Sequence, residues 1–245
     1  MAAPAAAQPR ASDVSRFRAC TAVAQADPAR GVAAANAWRV EGGGSAARHC
    51  LALAQFLNGD HEAALASFEA AATLAASGQD GEAPARALWT AGANAALMAA
   101  RPEAALRFAE AALALAPPAG EAAALELLRA EALVDLDRSR EGLAAIEAAL
   151  AHDMAVPNGW LLKATLARRL GDFEMAESAI LEAARRTPVE TPEAGDVQLE
   201  AGMIALAQGK RDLARAAWTS AASGDEEWAS TKAAREALAR LAAEK

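Results

Sequence analysis

Residue types able to do chemistry are few in this 245-residue chain, and their spacing does not bring them together. Histidine occurs three times, at His49, His61 and His152, and cysteine twice, at Cys20 and Cys50. His49 beside Cys50 is the one adjacency that would suit a metal site or a Cys–His nucleophile. Consecutive residues on a helix point in different directions, however, and no third ligand stands at a metal-site spacing. His61 follows a turn and His152 a helix end, both ordinary solvent positions. Gly42-Gly43-Gly44-Ser45 has the glycine content of a phosphate-cradling loop, but such a loop needs a preceding strand and a lysine or threonine at the helix start. Ser45 is expected instead to cap a helix. The acidic pairs Asp135/Asp137 and Glu226/Glu227 fall at turns or helix starts, where they complement the helix dipole. No His-Glu-x-x-His, Cys-x-x-Cys, Gly-x-Ser-x-Gly or P-loop pattern occurs. The expectation is a protein that is not an enzyme and holds no metal or cofactor.

The elements that carry these residues are expected to be helices. Alanine, the best helix former, supplies 77 of the 245 residues. Arginine outnumbers lysine 20 to 4, the mark of a GC-rich genome, so part of the alanine reflects codon usage. Its physical consequence is the same: helix axes can approach closely. Aromatics are 4% of the chain and tyrosine is absent, which argues against a β-sandwich or barrel. The 14 uncharged residues between Arg86 and Arg101 are too few to span a bilayer. A net charge of −8 lacks the basic footprint of a nucleic-acid binder. An all-α protein with no membrane span and no nucleic-acid partner is predicted.

A helix–turn–helix unit recurs along the chain. In its clearest copy Trp160, Ala164 and Ala167 mark one helix face, and Gly171-Asp172 breaks the pattern, the aspartate placed to cap the next helix. Phe173, Ala176, Ile180 and Ala183 mark the second helix, and Pro188 stops it. The same frame fits Trp89, Ala93, Ala105, Ala112 and Pro117, with Ala100 in place of the turn glycine. It fits Ala52, Gly59, Ala64, Phe68 and Ala71, and Gly202, Gly209, Ala214, Trp218 and Ala221. Fainter copies use Ala130, Gly142, Ile146 and Ala149, and Ala22, Ala34 and Trp38. The unit resembles a tetratricopeptide repeat (TPR). The resemblance implies a right-handed superhelical solenoid of about six helix pairs over residues 13–245, closed by a capping helix from Asp225 to Glu244 that carries Trp228. Residues 1–12 are expected to be a disordered N-terminal segment, and Ala-Pro-Ala-Ala-Ala-Gln within it is similar to the remnant of a signal peptide.

Within that frame Cys20 and Cys50 occupy equivalent positions on the first helices of adjacent repeats, which lie side by side in the family. A disulfide between them is expected, with two buried thiols as the alternative. The disulfide implies the bacterial periplasm or cell envelope, and free thiols a cytoplasmic adaptor.

The resemblance also implies that the inner faces of the first helices line a groove for an extended peptide or amphipathic helix of a protein partner. The frame places His49, Leu53 and Phe56 there from one repeat and Thr90 and Asn94 from the next. Glu131, Thr165 and Arg168 follow from later repeats. Asn94, Glu131, Thr165 and Arg168 are expected as polar clips. The Lys/Arg cluster with which some members grip acidic carboxylate tails is incomplete. An interaction scaffold is the expectation, with a self-assembling homo-oligomeric subunit as the alternative.

Overall fold

Residues 11–79, 82–155 and 158–243 are described by the computed structural model. Among them are thirteen α-helices and no strand. In order they are α1 (Ala11–Ala26), α2 (Pro28–Val40), α3 (Gly44–Leu57), α4 (His61–Leu74), α5 (Glu82–Met98), α6 (Pro102–Leu113) and α7 (Ala119–Asp135). They continue with α8 (Ser139–His152), α9 (Gly159–Arg169), α10 (Phe173–Arg186), α11 (Pro192–Ala207), α12 (Arg211–Ala222) and α13 (Ala229–Ala243). A short π-helical segment, Ala75–Gln79, extends α4. The chain forms two compact units, Met1–Leu136 and Asp137–Lys245. In the first, each helix from α1 to α7 packs on the next, and α1 also reaches α3. In the second the same succession runs from α8 to α13.

The turns explain why short helices alternate so regularly. Gly59, Gly171 and Gly209 each take a left-handed conformation, with φ between 76° and 85°. The next residue closes a six-residue backbone ring, Asp60 N to Gln55 O at 2.9 Å, Asp172 N to Ala167 O at 2.9 Å and Lys210 N to Ala205 O at 2.9 Å. This is the glycine-terminated helix end, which satisfies carbonyls that would otherwise be orphaned. Ala100 adopts the same turn at φ 53°, and Arg101 N reaches Ala96 O at 2.8 Å. The next helices start on caps the sequence supplies: Asp172 accepts from Met175 N at 3.0 Å, and Asp27 from Arg30 N at 3.1 Å.

Small residues fill the helix crossings. Ala52, Ala64, Ala93, Ala105, Ala130, Ala164, Ala176 and Ala214 are all buried. Phe68, Phe108, Ile146 and Trp218 supply bulk around them. At Gly202 the approach is closest: a Cβ there would lie 2.2 Å from Nε1 of Trp218, whose N–H donates to Leu199 O at 3.1 Å. Any side chain at Gly202 would force the buried indole aside.

Three expectations from the sequence change. In the first pair the buried small residues are Ala24, Gly31 and Ala35, not Ala22 and Ala34, which are exposed. The helices meet so closely that a Cβ on Gly31 would lie 2.5 Å from Ala24 Cα. Gly43 caps α3 and Ser45 is buried inside its first turn, because the glycine run ends against Trp38 and Ala47. Trp228 precedes α13 rather than riding on it, and its ring covers Gly224. Residues 1–10 of the expected N-terminal segment lie outside the described residues.

Candidate partner-binding groove

Helices α1, α3 and α5 of the first unit present side chains to two cavities, each of about 420 Å³. This lies within the range of small-ligand and side-chain pockets. Helix α3 contributes to both, with His49 at one end and Leu53, Phe56 and Leu57 at the other.

The first cavity is lined by Asp13 and Phe17 of α1, by the Gly42–Ser45 segment, by His49, and by Pro84 and Leu88 of α5. His49 is wedged between aromatic rings, 4.8 Å from Phe17 and 5.8 Å from Phe68 by centroid. Burial in that apolar setting lowers its pKa from 6.5 to about 4, so the imidazole is uncharged at neutral pH. The second cavity has an apolar wall of Leu53, Phe56, Leu57, Phe68 and Met98. Its polar rim is Thr21, Gln25 and Asn94.

Asn94 is exposed, and its Nδ2 donates to Thr90 O at 2.9 Å within α5. Thr90 in turn spends its hydroxyl on Arg86 O at 2.9 Å. Both side chains are therefore partly engaged by their own helix. Glu131 is half-buried on α7, and burial, reinforced by Asp135 one turn on, raises its pKa.

Thr165 and Arg168 belong to the second unit. Arg168 is bonded to Glu200, Nε to Oε1 at 2.6 Å, and both side chains are largely covered. Its guanidinium is committed within the fold instead of standing free as a clip.

Cys20 and Cys50 are paired across α1 and α3, with Cα atoms 6.2 Å apart. The pair fixes α1, one groove wall, against α3, the groove floor.

Sequence reasoning missed the contribution of α1: Asp13, Phe17, Thr21 and Gln25. Placing the first repeat's frame on Ala24 rather than Ala22 sets Thr21 and Gln25 in register with His49 and Leu53, and Phe17 lies one turn before Thr21. Among the described residues no group of three or more His, Cys, Asp or Glu could hold a metal ion. No helix among them is long and apolar enough to cross a membrane.

Residues 157–189 match the family model of the tetratricopeptide repeat. No curated protein matches the chain. Among solved structures, PilW, described as a widely conserved type IV pilus biogenesis factor, is 15% identical with a TM-score of 0.67, over 91% of this chain and 98% of PilW. PilF of Pseudomonas aeruginosa is 11% identical with a TM-score of 0.65, over 94% and 99% of the two chains. YrrB, described as a TPR protein with an unusual peptide-binding site, is 16% identical with a TM-score of 0.58, over 82% and 96%. At these identities the likeness is one of fold. The chain thus carries a tetratricopeptide repeat at residues 157–189 and has the helical-repeat fold of TPR proteins.

Proposed function

We propose that this chain is a non-enzymatic interaction scaffold that seats a peptide or helical segment of a protein partner in the α1/α3/α5 groove. The observation that carries the reading is the pair of side-chain-sized cavities sharing one helix, with Val14, Leu57 and Met98 exposed beside them. Helices already stacked around a groove hold it open before binding, so a partner loses little affinity to ordering the site. The peptide-binding description of YrrB supports the same reading. The paired cysteines and the pilus-biogenesis description of PilW support a location in the bacterial periplasm or cell envelope.

The test is selection of phage-displayed random dodecamers on the full chain and on Leu53→Glu, which sets a charge on the groove floor. Peptides that bind the parent and lose binding to Leu53→Glu support the reading, provided the variant melts as the parent does. Peptides indifferent to the substitution bind elsewhere and overturn it. Blocking free thiols in intact source cells tests the location: unmodified, bonded cysteines support the envelope, and two blocked thiols contradict it.

A further inference from the structure

The two cavities differ in charge. Among the side chains lining the first, Asp13 is the one acid, and burial keeps His49 uncharged. Asp13 is half-buried and makes no hydrogen bond or ion pair with another described residue. Two arginines on the lining helices are engaged by other groups. Arg16 pairs with Glu41 at 2.5 Å and lies over the Trp38 ring, and Arg48 donates to Gly44 O at 3.1 Å. The second cavity has no ionisable side chain in its lining, and its rim of Thr21, Gln25 and Asn94 is neutral.

Two physical demands follow. A carboxylate beside the Phe17 ring at a half-dry site attracts a cation and repels an anion, and the low local dielectric strengthens both effects. A lysine or arginine stem is long enough to lie on apolar surface while its charged head reaches an acid. The neutral cavity demands the opposite: a charged group there would lose hydration with no partner, whereas a large apolar side chain would gain from burial. On α1 the first cavity is lined by Asp13, Val14 and Phe17 and the second by Thr21, Ala24 and Gln25, so the two cavities are centred roughly 13 Å apart along its axis.

We infer that the groove, taken as the partner site proposed above, selects a segment bearing one basic and one large apolar side chain about 13 Å apart, the basic group at Asp13 and the apolar group over Leu53 and Phe56. That distance is about four residues of extended chain, which keeps both side chains on one face, or about eight residues of a helix. The specificity is for lysine or arginine, the reverse of what a groove gripping a carboxylate would choose. A net charge of −8 on the whole chain favours the approach of the same kind of partner.

The test takes the dodecamers selected above and reads their consensus. A basic residue about four or about eight positions from a large apolar one is the expected pattern. The tightest peptide is then synthesised with its basic residue changed to Gln and to Glu, and binding is followed by fluorescence anisotropy. On the parent chain the Glu peptide should bind at least about tenfold more weakly, and added salt should narrow the gap. On Asp13→Asn the difference between peptides should fall below about threefold, with the apolar anchor's contribution unchanged. Because Asp13 also lies in the first turn of α1, the melting temperature of Asp13→Asn is measured alongside, and a fold-wide loss would appear equally with all three peptides. A consensus without a basic residue, or an equal penalty for Glu on Asp13→Asn, overturns the inference. If such peptides still lose binding to Leu53→Glu, the groove reading stands without it. Peptides indifferent to Leu53→Glu overturn both.

Discussion

Arg168 on α9 and Glu200 on α11 are joined by two parallel hydrogen bonds, Nε to Oε1 at 2.6 Å and Nη2 to Oε2 at 3.3 Å. The side chains keep 19% and 11% of their exposure, so the pair is mostly withdrawn from water. A fork-to-fork pair of this kind locks two neighbouring repeats in register. It also gives Arg168 a structural duty that its sequence position does not announce.

Arg168→Ala is expected to lower unfolding stability by about 2–4 kcal/mol, because it strands the Glu200 carboxylate without its partner. Replacing both residues by apolar ones of similar size, Arg168→Met with Glu200→Leu, should restore most of the loss. Urea unfolding of the three proteins checks this. A single variant within about 0.5 kcal/mol of the parent would show that the pair adds no stability.

The turn at Ala100 predicts a gain. An L-residue with a side chain at φ 53° is strained by roughly 1–2 kcal/mol, while glycine is not. Ala100→Gly should therefore raise stability by about 0.5–1 kcal/mol after the extra chain entropy of glycine is subtracted. Gly171→Ala, at φ 78°, should cost about 1 kcal/mol. If both substitutions move stability the same way, the shared turn geometry is not what governs it.

The cysteine pair closes a span of 30 residues, for which loop-closure entropy gives about 3.6 kcal/mol of stabilisation. Cys20→Ala with Cys50→Ala should lower stability by about 3–4 kcal/mol. It should also weaken binding of a groove peptide, since α1 would no longer be tied to α3. Equal unfolding midpoints with and without reductant, once reduction is verified by mass, would contradict a structural bond.

His49 makes the first unit sensitive to acid in a defined direction. In the unfolded chain its imidazole titrates near 6.5, and in the fold near about 4. Above 6.5 both states are neutral and the residue adds no pH dependence. Below 6.5 the unfolded chain takes up a proton that the fold refuses, so stability falls and levels off below about 4, by as much as about 3 kcal/mol. His49→Gln should flatten that part of the stability-against-pH curve. An unchanged slope between pH 6.5 and 4 in the variant would assign the acid sensitivity to other groups.

The repeat was readable because its marks are residues with little freedom to be anything else. Ala164, Ala176 and Gly202 must be small at a crossing, and Gly171 must accept a positive φ. In the first repeat these constraints are spread over Ala24, Gly31 and Ala35 in an alanine-rich stretch, where exposed Ala22 and Ala34 look identical. That two-residue ambiguity hid Thr21 and Gln25 from the groove. Leu53, Phe56 and Asn94 were legible because their two helices, α3 and α5, carried a clear frame, and the structure brings all three to one cavity. Arg168 looked like a free polar group because its partner, Glu200, lies a whole repeat away and no local pattern connects them.

The central claim is that the groove formed by α1, α3 and α5 is where a partner binds, and hydrogen exchange tests it most directly. The full chain would be compared with and without a saturating selected dodecamer, following amide protection helix by helix. The account predicts protection concentrated in α1, α3 and α5, with α8 to α13 unchanged. Protection in the second unit, or on α4 and α6 without α3, would contradict it.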